Sequence, residues 1–195
     1  MVTETPNARS AEWPHKGGSS VNFPPLNAAD REMFWRLGID EALLRAAQVR
    51  RVTDAEARTL LGSTHCGDLS GIVFPYLSPI NGDVWSYRLR RDHPEIDGDG
   101  KPKDKYLCPR GHNRLYFPPG AGLVLSDTTA PLLVVEAEKS ALALTALAAQ
   151  TGRKWLAIAT GGCWGWRGQT GIEPGPNGER KPTRGPKTDF GLINL

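Results

Sequence analysis

The sequence predicts an α/β unit inside a chain that is α+β overall, and two apolar runs with a helix between them carry that prediction. Leu132-Leu-Val-Val is continuously apolar, without the alternation of a half-solvated strand, as a strand covered on both faces would be. Glu138 to Gln150 is rich in Ala and Leu, strong helix formers, and Gly152 stops it. Trp155-Leu-Ala-Ile-Ala then repeats the buried-strand pattern and closes on Gly161-Gly162. Strand, helix and strand at this spacing make a β-α-β unit with parallel strands.

Upstream of that unit the pattern is different. Gly71-Ile-Val-Phe-Pro-Tyr reads as a strand, Asn81-Gly82 is a strong hairpin signal, and Val84-Trp-Ser-Tyr-Arg-Leu-Arg follows with alternating character. Asp97-Gly-Asp-Gly is a further turn, and Tyr106-Leu and Leu115-Tyr-Phe are short strand candidates. Asn27 to Leu61 reads as three short helices. The first is capped by Asn27 or Asp30, the second begins after Asp40, and the third begins at Thr53, with Glu56 completing a capping box. Three such helices are expected as a small cap on the next unit rather than as a helix-turn-helix. Residues 1–26 hold Pro6, Pro14, Pro24 and Pro25 with no apolar period, as a disordered or extended tail would. The expected organisation is therefore a tail over 1–26, a helical segment over 27–62, a β-rich part over 63–128 and the β-α-β part over 129–195. The last of these is expected to end in a basic, loop-rich stretch beyond Trp166 that contributes nothing evident to the core.

Composition narrows the class. The chain has 195 residues, 39% of them hydrophobic, with 22 glycines and 16 prolines, so a core is available and much of the chain is loop. No apolar run is long enough for a membrane span, and Met1 to Ser20 lacks the apolar stretch of a signal peptide. Three cysteines at uneven spacing do not make a disulfide framework, so a reducing, cytoplasmic setting is expected. A net charge of +3 permits a nucleic-acid partner without demonstrating one.

The chemistry concentrates in Val134-Val-Glu-Ala-Glu-Lys-Ser-Ala-Leu-Ala-Leu. Glu136 stands where a buried strand gives way to a helix, and in an open α/β sheet ligands bind at the carboxyl ends of strands. Glu138 and Lys139 fall in the helix's first turn, where the helix dipole favours a carboxylate and is a sufficient reason for Glu138. This stretch resembles the signature of TOPRIM domains, the metal-dependent modules of bacterial primases and topoisomerases. It is especially similar to the Glu-Gly-Glu-Lys form in primase-like proteins of phages, plasmids and other mobile elements, with Ala137 in place of the glycine. The Gly-rich turn Thr160-Gly-Gly-Cys-Trp-Gly-Trp is similar too. The order Gly71-Ile-Val-Phe-Pro, Tyr87-Arg-Leu-Arg, Lys105-Tyr-Leu, Leu115-Tyr-Phe resembles the part of bacterial primase cores that precedes their TOPRIM domain. The likeness covers about residues 71–166.

The resemblance implies a partial TOPRIM-like unit in a protein of DNA replication, with metal-dependent nucleotidyl transfer in its full-length form. Glu136 would be the catalytic and Mg²⁺-binding glutamate. Single-stranded template DNA, nucleotides and a helicase would be partners, and no membrane would be. One departure matters. The family's later Asp-x-Asp is missing: the only Asp downstream of Glu136 is Asp189, so the Mg²⁺ site is incomplete within these residues. Either the chain is a piece of a longer protein, which its apolar ending Gly191-Leu-Ile-Asn-Leu favours, or it is a non-catalytic nucleic-acid-binding module that keeps the fold.

Other candidates are weaker. Between Val84 and Arg114 eight Lys or Arg face five Asp or Glu, with Trp85, Tyr87 and Tyr106 interleaved. Arg88, Arg90, Lys103, Lys105, Arg110 and Arg114 are thus candidates for a groove in which cations bind phosphate and rings stack on bases, with Lys139 added from the helix. A solvated hairpin face is the competing explanation. Arg88 and Arg90 share one strand face. His65-Cys66 and Cys108-Pro-Arg-Gly-His112 offer zinc-type ligands, but without Cys-x-x-Cys spacing zinc is not expected. Trp164 and Trp166 suit packing over the sheet end, and Lys181, Arg184 and Lys187 suit a solvated loop.

Overall fold

The computed structural model describes residues 25–194. The expected tail over 1–26 lies, but for its last two residues, outside the described residues. The chain is α+β, with a four-stranded antiparallel sheet, a parallel strand pair and a separate hairpin.

Helix α1 (Ala28–Trp35) is capped by Asn27 and Asp30 in a reciprocal box, and α2 (Glu41–Ala46) is capped by Asp40. The segment read as wholly helical also contains strand β1 (Arg50–Val52), followed by α3 (Asp54–Leu61) with Thr53 and Glu56 as its capping box. β1 is too short to show a period, so only its pairing with a distant partner defines it. It pairs with β2 (Gly71–Leu77), which pairs with β3 (Val84–Arg91), which pairs with β4 (Tyr106–Leu107), all antiparallel. One face of β2 (Ile72, Phe74, Tyr76) packs with α1, α2 and residues of the later helix in one cluster. The other face, through Val73 and Leu89, packs with Ala57 and Leu61 of α3. The helices therefore lie on opposite faces of the sheet and do not form a helix-turn-helix.

β5 (Leu132–Val135), α4 (Glu138–Thr151) and β6 (Leu156–Ala159) form the expected β-α-β unit, with β5 and β6 parallel in the register Leu132↔Leu156 to Val135↔Ala159. β6 is buried along its length. Ala157 and Ala159 pack in the same cluster as Ala141 and Leu142 of α4, while Leu156 and Ile158 pack with Leu115, Phe117 and Ile193. Tyr116 bridges Ala159 antiparallel and ties the β-rich part to the unit. β5 is less covered, with Val134 half exposed.

The stretch beyond Trp166 departs from expectation twice. It forms an antiparallel hairpin, β7 (Arg167–Pro174) and β8 (Arg180–Pro186), whose Gly and Pro content had suggested loop. It then returns to the core through a 3-10 turn at Thr188–Leu192, where Asp189 and Ile193 are buried. No helix among the described residues is long and apolar enough to cross a membrane.

Candidate nucleic-acid interface

Glu136 is exposed at the carboxyl end of β5, where strand geometry hands over to α4. The Gly-Gly turn after β6 folds back beneath it. Gly161 and Gly162 N–H groups both donate to the Glu136 carbonyl, at 2.9 and 3.0 Å, and Thr160 N–H donates to Val135 O at 3.0 Å. Both glycines have positive φ, 76° and 130°. Glu136 faces an open cleft of about 470 Å³ lined also by Val134, Thr160, Cys163, Trp166 and Phe190. The Glu136 carboxylate beside the Cys163 thiol pushes the thiol's pKa up.

Glu138, two residues on, is buried rather than solvated at the helix start. Its Oε1 accepts from Tyr76 Oη at 2.6 Å and from Arg88 Nη1 at 2.9 Å. Burial, then the Glu138 charge, holds the Tyr76 phenol well above its ordinary pKa, so it stays a donor. Arg88 also lies over the Tyr106 ring, 4.5 Å from its centroid. This carboxylate joins β2, β3 and α4 at one point, and Gly161 lies against it. A Cβ at Gly161 would stand 2.8 Å from Arg88 Nη1 and 3.1 Å from Tyr76 Oη.

The candidate cations separate into groups. Arg88 is committed to Glu138. Arg90, from β3, and Lys105, from the approach to β4, both lie near enough to Lys139, in the first turn of α4, to act on its charge. The Lys139 pKa is lowered by burial first, then by Arg90 and Lys105. None of the three has an ion pair among the described residues, and the hydrogen bond of Lys139 is to Met33 Sδ at 3.6 Å. Like charges gathered at half-buried positions without a carboxylate repel one another and are relieved by a bound anion. Arg90 thus shares the Arg88 face of β3 but not its ion pair. Lys103 is exposed in the loop before β4.

Arg110 and Arg114 line a second cavity, of about 520 Å³, with Trp85, Tyr87, His112 and Asn113. Arg114 is 4.4 Å from the Trp85 ring centroid and pairs with the buried Asp189 at 2.8 Å, whose other oxygen accepts from Leu115 N–H. Lys187 is not in a solvated loop: its buried Nζ donates to Arg114 O at 2.7 Å and Thr160 O at 3.3 Å. His112 Nδ1 meets Ser86 Oγ at 2.8 Å, and burial, then the charges of Lys187, Arg88 and Arg114, lower its pKa to about 4. Burial raises the Cys108 thiol to about 11, which disfavours the thiolate that metal binding needs. His65 is 3.4 Å from Asp104, and Cys66 is exposed.

Among the described residues no group of three His, Cys, Asp or Glu side chains converges as a metal site. Among the described residues that line its cleft, Glu136 has a thiol beside it and no second carboxylate, a donor set that does not fit Mg²⁺ by itself. Asp189, the remaining downstream Asp, is taken up by Arg114 and Leu115.

No protein-family model and no curated protein matches the chain. Among solved structures it is similar to the Aquifex aeolicus primase (zinc-binding and RNA polymerase domains), at 16% identity over 68% of this chain and 36% of that one, with a TM-score of 0.45. The match thus takes in little more than a third of the primase chain and does not bear on activity.

Sequence reasoning missed Glu138, Asp189 and Lys187 as buried charges. No local signal marks them, because their partners lie 62, 74 and 73 residues away.

Proposed function

We propose that this chain is a primase-like, TOPRIM-related module that binds single-stranded nucleic acid through Arg90, Lys105 and Lys139. The carrying observation is that these cations, from separate elements, gather without a carboxylate partner among the described residues. A phosphate backbone supplies the missing charge, and the exposed edge of Tyr106 beside Arg90 offers a ring for a base to stack on. The test is to replace all three by Gln and measure affinity for oligothymidylate. Each lost phosphate contact takes about 0.7 from the slope of log affinity against log salt on a single strand. A slope reduced by about 2 is expected from three such losses. Unchanged affinity in a folded variant would overturn the reading.

A second reading is metal-dependent nucleotidyl transfer. The position of Glu136, exposed at the end of a parallel strand over an open cleft, favours it. It requires Mg²⁺ ligands beyond the described residues, so no chemical step is assigned to Glu136. Glu136→Gln separates the two: it should leave affinity for DNA unchanged and abolish polymerisation in any longer form of the protein that polymerises.

A further inference from the structure

The β7–β8 hairpin buries no residue, so no core of its own accounts for it. A two-stranded ribbon with no apolar face is marginal in water. At its base, Asn113 Nδ2 donates to Gln169 O at 2.9 Å, Gly168 lies hard against Asn113, and Lys187 N–H donates to Trp166 O at 3.0 Å.

Its two faces are chemically distinct. The pairs Arg167↔Pro186, Gln169↔Arg184, Ile172↔Pro182 and Pro174↔Arg180 put these eight side chains on one face, and all are exposed. The other face carries Gly168, Gly171, Glu173, Lys181, Thr183 and Gly185 and is partly covered, with Lys181 paired to Glu179 at 3.0 Å. The exposed face thus holds Arg167, Arg180 and Arg184, no carboxylate, and no ion pair among the described residues. At roughly 3.3 Å per residue the arginines extend over about 20 Å of ribbon. Pro182 and Pro186 lack the N–H that a strand added along β8 would need, so on that side the ribbon offers its face and not its edge. Exposed Trp164 and Trp166 stand at its foot, with Arg167 5.5 Å from the Trp166 ring centroid.

We infer that the β7–β8 hairpin is an arginine-faced arm that lies along the phosphate backbone of a nucleic-acid strand, through Arg167, Arg180 and Arg184. Guanidinium groups match phosphate with paired donors, and the face offers Gln169 as its one side-chain amide, so the arm holds the backbone and does not read sequence. This rests on the nucleic-acid reading above but uses none of its residues.

The experiment measures the salt dependence of oligothymidylate binding for the wild-type chain, for the R167Q/R180Q/R184Q variant, for K181Q on the opposite face, and for the R90Q/K105Q/K139Q variant. Circular dichroism and melting confirm that each variant is folded. The arm arginines are expected to contribute about 2 to the salt slope, and so on the order of a hundredfold in affinity near 0.1 M salt, with K181Q unchanged. A wild-type slope in the arm variant, with the slope lost in R90Q/K105Q/K139Q, overturns the arm and leaves the nucleic-acid reading standing. Equal weakening by K181Q overturns the assignment to the arginine face. No binding by the wild-type chain overturns both.

Discussion

Glu138 accepts from both Tyr76 and Arg88, and its removal tests how much the junction of β2, β3 and α4 depends on one carboxylate. Glu138→Ala leaves the Arg88 guanidinium, 13% exposed, without its counter-charge. Breaking such a pair costs about 3–5 kcal/mol, read as a lower denaturant midpoint. Glu138→Gln keeps an acceptor for Tyr76 and should lose less. His112 gives a pH test. Its pKa in the fold is about 4, while the unfolded chain takes up the proton near the ordinary value of 6.5. Between those two values the unfolded state binds more protons, so stability falls as pH is lowered from about 6.5 to about 4. The loss is on the order of 3 kcal/mol at most. His112→Gln should flatten that limb of the stability profile, and an unchanged acid limb would show that other groups set it.

At the scale of elements, the β-α-β unit was the most legible part of the chain, because two continuous apolar runs and an Ala/Leu helix leave few alternatives. Helices α1 to α3 were legible through their caps, and Thr53→Ala should cost about 1 kcal/mol by removing the hydroxyl that accepts from Glu56 N–H. β1 was not legible, since its three residues are defined by pairing with β2. The β7–β8 hairpin was hidden because it buries no apolar residue and so has no hydrophobic alternation to read. The Gly-Gly turn shows how local chemistry serves a distant contact. Gly161→Ala meets both a positive φ and the Arg88–Tyr76 pair, and should destabilise by about 1–3 kcal/mol. Gly162→Ala meets no atom within 4 Å, so its cost is that of the positive φ alone.

Over the whole molecule, a four-stranded sheet presents one face to α3 and the other to α1, α2 and α4, and β3 carries arginines along that second face. The cations expected from composition to form one groove are divided by their partners. Glu138 claims Arg88, Asp189 claims Arg114, Arg110 lines the second cavity, Lys103 is exposed in a loop, and Arg90 and Lys105 are left near Lys139. No pattern in the sequence separates a paired from an unpaired arginine, because the pairing carboxylates are 50 and 75 residues away. The central claim is that this remainder binds a nucleic-acid backbone. A salt titration of oligothymidylate binding by the wild-type chain tests it most directly. Contacts from Arg90, Lys105 and Lys139 predict that log affinity falls linearly with log salt with a slope of about −2 or steeper. Binding that is absent, or that does not change with salt, would contradict it.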